Sequence, residues 1–200
     1  MSPFDSAPFG SAQGRRLILV RHSVPDIRPD VPSAEWRLSP EGFARARGLA
    51  RRVQPQGASA IFTSREPKAA ETARAMAGEW GLEVEEVDGL HEHERPLVQI
   101  FPREVFEATI RELFNRPGEL VFGSETAERA RRRFTVAVMR LVAARSGDVV
   151  VVTHGTVMTL FVAAAAGVEP FSFWKRQQMP FAVTLALPEL RIERIATPDG

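Results

Sequence analysis

Two short apolar segments, far apart in the chain, each end at a histidine. Leu17–Val20 is followed by Arg21 and His22, and Val149–Val152 leads through a threonine to His154. Four consecutive branched apolar residues between polar ones are typical of a strand that is buried on both faces, as in a parallel sheet. In open α/β sheets, ligands bind outside the carboxyl ends of the strands. The pattern therefore predicts one site that receives both histidines.

The rest of the chain alternates between strand and helix patterns. Ser39 before a proline is a typical helix start, and Ser64 and Ser124 are further predicted N-caps. The segment 171–174 is aromatic, and we assign it neither helix nor strand. Strands are expected at 58–63, 84–87, 181–187 and 190–195, and helices over 40–53, 64–81, 101–114, 124–144 and 156–166. This alternation predicts an α/β class, a three-layer α/β/α sandwich around a mainly parallel sheet, with the last two strands as an edge hairpin.

Length and composition indicate one domain. The chain has 200 residues, of which 44% are apolar, enough for one sizeable core, and we expect a single domain over residues 15–197. Residues 1–14 are rich in Ser, Pro, Gly and Ala, which predicts a disordered lead-in rather than a signal peptide. The longest apolar run, Val157–Val168, is too short to span a bilayer. We expect a cytoplasmic protein with no membrane partner.

The charges give no overall field. Lys and Arg number 26 against 25 Asp and Glu, so we expect no nucleic-acid partner. The basic run Arg129–Arg133 follows two glutamates and is typical of a solvated, ion-paired helix face. Without cysteine there is no disulfide or thiolate-bound zinc, and His91 and His93, alternating with glutamates, are a weak metal signal. We therefore expect no metal and no cofactor.

Four motifs occur in order along the chain. They are Leu-Val-Arg-His at 19–22, Ser-x-x-x-Lys-Ala-x-x-Thr-Ala at 64–73, Leu-x-Glu at 90–92 and Thr-His-Gly-Thr at 153–156. In this respect the chain resembles the phosphatase branch of the histidine phosphatase superfamily, whose members are phosphoglycerate-mutase-like. The resemblance implies that His22 is a nucleophile that forms a phosphohistidine.

Two positions depart from that family pattern. The usual glycine after Arg-His is Ser23, and the usual arginine of the second motif aligns with Lys68. Arg21 offers a planar fork suited to phosphate oxygens. Lys68 is predicted in the first turn of its helix, where a cation opposes the helix dipole, and this suggests a phosphate-binding role. Arg65 is either a further phosphate ligand or a solvated side chain.

The second histidine and a carboxylate complete the predicted site. His154 can donate to phosphate, and Thr156 follows at a helix start, where backbone amides suit an anion. The resemblance aligns Glu92 with the family's proton donor, which would protonate the leaving oxygen and then activate water. Glu94 is the alternative, because the charged residues around Glu92 match the family poorly.

The sequence thus predicts a metal-independent phosphatase that hydrolyses a small phosphomonoester through a phosphohistidine on His22. A phosphoglycerate-mutase-type phosphotransferase is one alternative, although by resemblance it would carry longer insertions. The other is a regulatory protein that binds phosphate without turnover, which the departures at Ser23 and Lys68 keep open.

Overall fold

A six-stranded sheet forms the centre of the molecule. The computed structural model describes residues 14–95 and 102–199, so the predicted lead-in lies outside the described residues except for Gly14. The strand order is β3-β2-β4-β1-β5-β6. The strands are β1 (Arg16–Arg21), β2 (Ala60–Thr63), β3 (Glu83–Glu86), β4 (Val149–Thr153), β5 (Phe181–Ala186) and β6 (Arg191–Ala196).

The register of β1 and β4 explains how the two histidines meet. The two strands are parallel neighbours, and Arg21 is paired with Thr153 at their carboxyl ends. The next residue along each strand is a histidine, and the His22 amide still donates to the Thr153 carbonyl over 2.8 Å. Parallel strands point the same way, so His22 and His154 leave the sheet at one edge, as the sequence predicts.

The other strand pairs make the sheet mixed. β2 is parallel to both β3 and β4, whereas β5 is antiparallel to β1 and to β6. The β5–β6 pair is the predicted edge hairpin. Helices are α1 (Pro40–Arg52), α2 (Pro67–Trp80), α3 (Arg103–Asn115), α4 (Ala127–Ala144), α5 (Gly155–Ala166) and α6 (Pro170–Arg176), with a 3-10 turn at Ser33–Glu35.

Helices cover both faces of the sheet. Along β1, Leu17 and Leu19 pack into a core with α3, α4, α5 and α6, while Ile18 and Val20 pack into a second core with α1 and α2. Each of these side chains is at most 1% exposed. Burying one such side chain fully contributes about 1.5–3 kcal/mol, which is why a run with no polar alternation suits this central strand. The three layers and the mainly parallel sheet confirm the predicted fold class.

Helix starts differ from the prediction in two places. The N-cap of α2 is Glu66 rather than Ser64, and the N-cap of α4 is Thr126, whose hydroxyl accepts from the Arg129 amide, rather than Ser124. In both cases a polar residue two positions further along the chain takes the cap position, so the first serine lies outside the helix. For Ser64 this matters, because its hydroxyl, which accepts from the Glu66 amide over 3.2 Å, lies before the helix at the predicted site.

The aromatic segment 171–174 is helical. Glu169 caps α6 by accepting hydrogen bonds from the Phe171 and Ser172 amides. This helix is short, and packing of Phe171 and Phe173 in the core stabilises it more than local propensity does. The predicted helix start at 101 falls outside the described residues. Within the described part of the chain, no helix is long and apolar enough to cross a membrane.

Candidate active site

The ring of His22 is held in one tautomer. Its side chain follows β1, the residue is 7% exposed, and Nδ1 lies 2.8 Å from the Ser23 carbonyl oxygen. A carbonyl oxygen can only accept a hydrogen bond, so Nδ1 carries the hydrogen. In the neutral ring, Nε2 then has a free lone pair.

The surroundings of His22 keep that ring neutral. Burial lowers its pKa well below the ordinary value of 6.5, and the nearby charges of His154, Lys68 and Arg21 lower it further. The bond to the Ser23 carbonyl acts in the opposite direction but is a smaller effect. These surroundings therefore keep the ring in its neutral form at neutral pH, which is the form of imidazole that has a free lone pair.

His154 lies beside His22 at the start of α5. The ring centroids are 5.2 Å apart, and His154 Nε2 lies 2.9 Å from the Ser64 hydroxyl. Its Nδ1 is buried and has no hydrogen-bond partner among the described residues. Burial, followed by the charge of Lys68, lowers the pKa of His154 well below its usual range. One ring nitrogen of His154 is thus available to an added group.

Arg21 is fixed at the end of β1 by a single strong contact. One guanidinium nitrogen donates to the Gln177 carbonyl over 2.6 Å, while Nε is buried without a partner in the described part of the chain. Burial lowers the pKa of Arg21 to about 10, with Glu92 raising it and Arg95 lowering it, so the group stays charged at neutral pH. A Cβ at Gly155 would lie 3.2 Å from that Nε, so a larger residue would crowd the guanidinium.

The side chains of Lys68 and Arg65 lie in different environments, one buried near the histidines and one exposed to solvent. Lys68 is only 5% exposed, and its ammonium donates to the Ser33 carbonyl and pairs with Glu66 over 2.6 Å. The same Glu66 carboxylate lies 3.4 Å from His154 Nε2, so the ammonium is near that histidine, and its charge lowers the pKa of both site histidines. The side chain of Arg65 is 65% exposed and pairs with Asp88 over 2.9 Å. Of the two readings left open for Arg65, this geometry favours the solvated one.

Thr72 connects Lys68 to the loop after β1. Its hydroxyl donates to the Lys68 carbonyl over 2.7 Å and accepts from the Ser23 amide over 2.9 Å. One helical turn separates the lysine from the threonine, so both lie on the α2 face that meets the sheet edge. The hydrogen bond between the Thr72 hydroxyl and the Ser23 amide therefore holds the turn after Arg21 and His22 against α2.

Glu92 binds the helix start that we expected to hold an anion. Its carboxylate accepts from the Thr156 and Val157 amides, each over 3.1 Å. The anion at the α5 N-terminus is thus a side chain of the protein, so the Thr156 and Val157 amides are not open to a ligand. The Thr156 hydroxyl is also engaged, because it accepts from Arg95 over 2.7 Å. The same contacts place Glu92 against the site.

The charge state of Glu92 reflects two opposing effects. Burial by itself raises its pKa, but Arg95, His154 and the backbone amides together bring the pKa far below its usual range. The carboxylate is therefore ionised in the protein alone. Glu94 lies elsewhere: its side chain is 47% exposed and contacts His91 and Ser124. Between the two glutamates, the geometry favours Glu92 as the residue of this site.

Four further residues belong to the site, although the sequence does not predict them as site residues: Ser64, Glu66, Arg95 and Gln177. Ser64 begins the second motif, so the motif itself could have indicated it. Arg95 lies 3.5 Å from Glu92 and 5.2 Å from the ring centroids of Phe106 and Phe122. Nothing local to the sequence marks Glu66, Arg95 or Gln177, because only the fold brings them to the histidines.

One group of side chains has the spacing of a cation site. Within the described ranges, ligand atoms of His91, Glu94 and Glu125 lie within 4.8 Å of one another. Glu125, however, is 4% exposed and pairs with Arg133 over 2.5 Å. That guanidinium already neutralises the one buried carboxylate of the group, so the set does not favour a divalent cation.

The fold and the paired histidines define an α/β protein with a cationic site at the carboxyl edge of its sheet. The family model described as histidine phosphatase superfamily (branch 1) matches residues 17–193, and the chain belongs to that superfamily. No curated protein matches the chain in sequence.

Several solved structures share this fold at low sequence identity. A mycobacterial glucosyl-3-phosphoglycerate phosphatase, in a complex with inorganic phosphate, is 21% identical with a TM-score of 0.70, covering 93% of this chain and 99% of that one. A phosphoserine phosphatase from Entamoeba histolytica, in complex with 3-phosphoglyceric acid, is 18% identical with a TM-score of 0.69, over 92% and 97% of the two chains. These similarities establish the architecture.

Proposed function

We propose that the protein is a metal-independent phosphatase that hydrolyses a small phosphomonoester through a phosphohistidine on His22. The observation that carries this proposal is the tautomer of His22, in which the Ser23 carbonyl holds the hydrogen on Nδ1. The charges of Lys68 and Arg21 act on this ring, and the neutral ring of His154 lies 5.2 Å away, centroid to centroid. A neutral nucleophile beside fixed cations is what attack on a negatively charged phosphoryl group requires.

In the first step, His22 Nε2 attacks phosphorus. A P–N bond forms, the P–O bond to the alcohol breaks, and its electron pair stays on the leaving oxygen. Arg21 and Lys68 offset the charge on the phosphoryl oxygens, and His154 adds a hydrogen bond through Nδ1. Thr156 and Arg65, also predicted as phosphate ligands, support this step less, because their polar groups are bound to Glu92, Arg95 and Asp88.

Glu92 donates and accepts the protons in the two steps. The leaving oxygen takes a proton, and in the second step water loses one as it attacks the phosphohistidine. The ionised carboxylate is ready to accept the proton of water. To donate in the first step it must first be protonated, and the negative charge of a bound phosphoryl group raises its pKa in that direction.

Trapping the intermediate tests this proposal. Brief exposure to a phosphoester labelled on phosphorus is expected to place acid-labile label on wild-type protein and none on His22→Ala. His91→Ala is the matched control, because it removes a histidine whose side chain is 37% exposed and contacts Glu94 rather than His22 or His154. Label that is released as inorganic phosphate indicates a phosphatase, and transfer to an added alcohol indicates a phosphotransferase.

Four results would contradict the proposal. Label on a serine, or undiminished turnover by His22→Ala, would remove the proposed nucleophile. Activity lost to a strong chelator and restored by zinc would show that a metal supplies the positive charge. Phosphate binding without label or turnover would instead identify a non-catalytic binding protein.

A further inference from the structure

A second carboxylate enters the candidate active site from the start of α2. Glu66 Oε2 lies 2.6 Å from the Lys68 ammonium, and Oε1 accepts from the Glu92 amide over 2.9 Å. Oε1 also lies 3.4 Å from His154 Nε2. The Glu66 side chain is only 12% exposed. It thus touches a proposed phosphate ligand, the second histidine and the backbone of the proposed proton donor.

Helix capping does not explain this placement. An acidic residue at a helix start is favourable through the helix dipole, and Glu66 occupies the N-cap position of α2. Yet its side chain makes no capping hydrogen bond to the helix. Both carboxylate oxygens instead point to the groups that line the site.

The contact changes the charge that Lys68 presents. An ammonium paired at 2.6 Å with a carboxylate attracts a second anion less than an unpaired one does. A phosphoryl group bound by Lys68 would also lie a few ångströms from the negative charge of Glu66. The two anions therefore compete for one cation in a site from which water is largely excluded, where such charges are weakly screened.

We propose that Glu66 sets the affinity of the site for the phosphoryl group by competing with it for Lys68. This inference rests on the proposed function, since it takes the Lys68 region as the phosphate pocket. Its consequence is weak retention of inorganic phosphate, the product of hydrolysis, and therefore ready product release. Glu66 is in this sense an affinity-determining residue rather than a proton carrier.

Binding of inorganic phosphate, measured by titration calorimetry, tests the proposal. Glu66→Gln keeps the size of the side chain and one carbonyl oxygen, which can accept from either the Glu92 amide or Lys68, but removes the negative charge. It is expected to bind phosphate at least about 10-fold more tightly than wild type, because one like charge next to the ligand is gone. Asp88→Asn is the matched control, because it also removes one carboxylate charge. The Asp88 side chain is 83% exposed and pairs with Arg65, which directly precedes Glu66 in the chain. It should change the affinity less than about twofold.

Steady-state kinetics provide a second readout. With an aryl phosphate, Glu66→Gln should lower KM and the inhibition constant of phosphate together, which a general loss of structure does not do. Glu66→Asp retains the charge on a shorter side chain and should fall between wild type and Glu66→Gln. It also keeps the test available if the glutamine variant folds poorly.

The outcomes separate this inference from the proposed function. Equal or weaker phosphate binding by Glu66→Gln, with wild-type turnover intact, overturns the role of Glu66 and leaves the phosphatase proposal standing. Tighter binding by Glu66→Gln in a protein that never turns over supports Glu66 and overturns the phosphatase proposal. No phosphate binding by Glu66→Gln overturns the role of Glu66, and if the wild type also turns over no phosphoester, both proposals are overturned.

Discussion

The two ends of the central strands differ in whether their buried polar groups have hydrogen-bond partners. At the amino end, the Asp148 carboxylate, only 3% exposed, accepts from the Arg16 amide over 2.9 Å, the Arg16 guanidinium over 2.5 Å and the Gln56 amide over 2.7 Å. Every oxygen of this carboxylate has a partner. The cluster ties the start of β1 to the loops before β2 and β4.

At the carboxyl end, several buried polar atoms have no partner among the described residues. They include Arg21 Nε, Ser23 Oγ, His154 Nδ1 and Gln177 Oε1. Leaving a buried polar group unpaired costs about 1–3 kcal/mol, so such groups rarely accumulate without a reason. The satisfied end stabilises the fold, and the unsatisfied end has hydrogen-bonding capacity to offer a ligand.

Removing the Asp148 carboxylate, whose two oxygens both have partners, should have the largest effect on stability. Asp148→Ala leaves the Arg16 guanidinium and two backbone amides without their acceptor, so we expect a loss of about 3–5 kcal/mol in the free energy of unfolding. Denaturant titration measures it. Turnover per folded molecule should stay near wild type, and a large loss of kcat would show that the two ends are not independent.

Next in size is the contrast between two cations near the start of α2. Lys68→Ala should cost about 2–4 kcal/mol of transition-state stabilisation, because the proposed pocket loses one cation facing the phosphoryl group. Arg65→Ala removes an exposed partner of Asp88 and should change kcat/KM only a few-fold. Steady-state kinetics with one phosphoester compare the two. The opposite ranking would place Arg65 in the pocket.

Glu92→Gln tests the proton transfers and should slow hydrolysis of an alkyl phosphate by about 100-fold or more. An aryl phosphate has a better leaving group, so its phosphorylation step should suffer much less, giving a burst followed by slow dephosphorylation. Rapid-mixing measurements resolve the two steps. Glu94→Gln is the control and should behave like wild type; a selective loss in that variant instead would move the assignment.

The smallest effect is a pH dependence of stability. The pKa values of His22 and His154 lie well below 6.5 in the folded protein, chiefly because of burial. Below about pH 6.5 the unfolded chain therefore binds more protons than the folded one, and the free energy of unfolding falls as the pH falls. Each such histidine contributes a slope of at most about 1.4 kcal/mol per pH unit.

Denaturant titrations from pH 7.5 to 5 of wild type and His154→Asn measure this slope. His154→Asn should lose one histidine's share of it. An unchanged slope in His154→Asn would show that its ring does not resist protonation in the folded state.

Much of the architecture could be predicted from local patterns. The apolar runs of β1 and β4 predict two buried parallel strands, and Ser39 caps α1 as expected by accepting from the Gly42 amide. Errors arose where two polar residues compete for a helix start, as with Ser64 and Glu66, because the chain path outside the helix decides which one caps it. The helix α6 was missed because packing of its aromatic residues stabilises it.

For the candidate site, the sequence by itself determined the residue types and their order: an Arg-His pair and a second histidine after strands, a lysine one turn before Thr72, and Glu92. Strand direction and helical spacing are short-range properties, so these positions follow from local rules. Only the tertiary structure decided the partners. The ionised state of Glu92, the turn of Arg65 toward Asp88 and the entry of Glu66 into the site depend on contacts between residues distant in the chain, and charge interactions follow distance in space rather than separation in sequence.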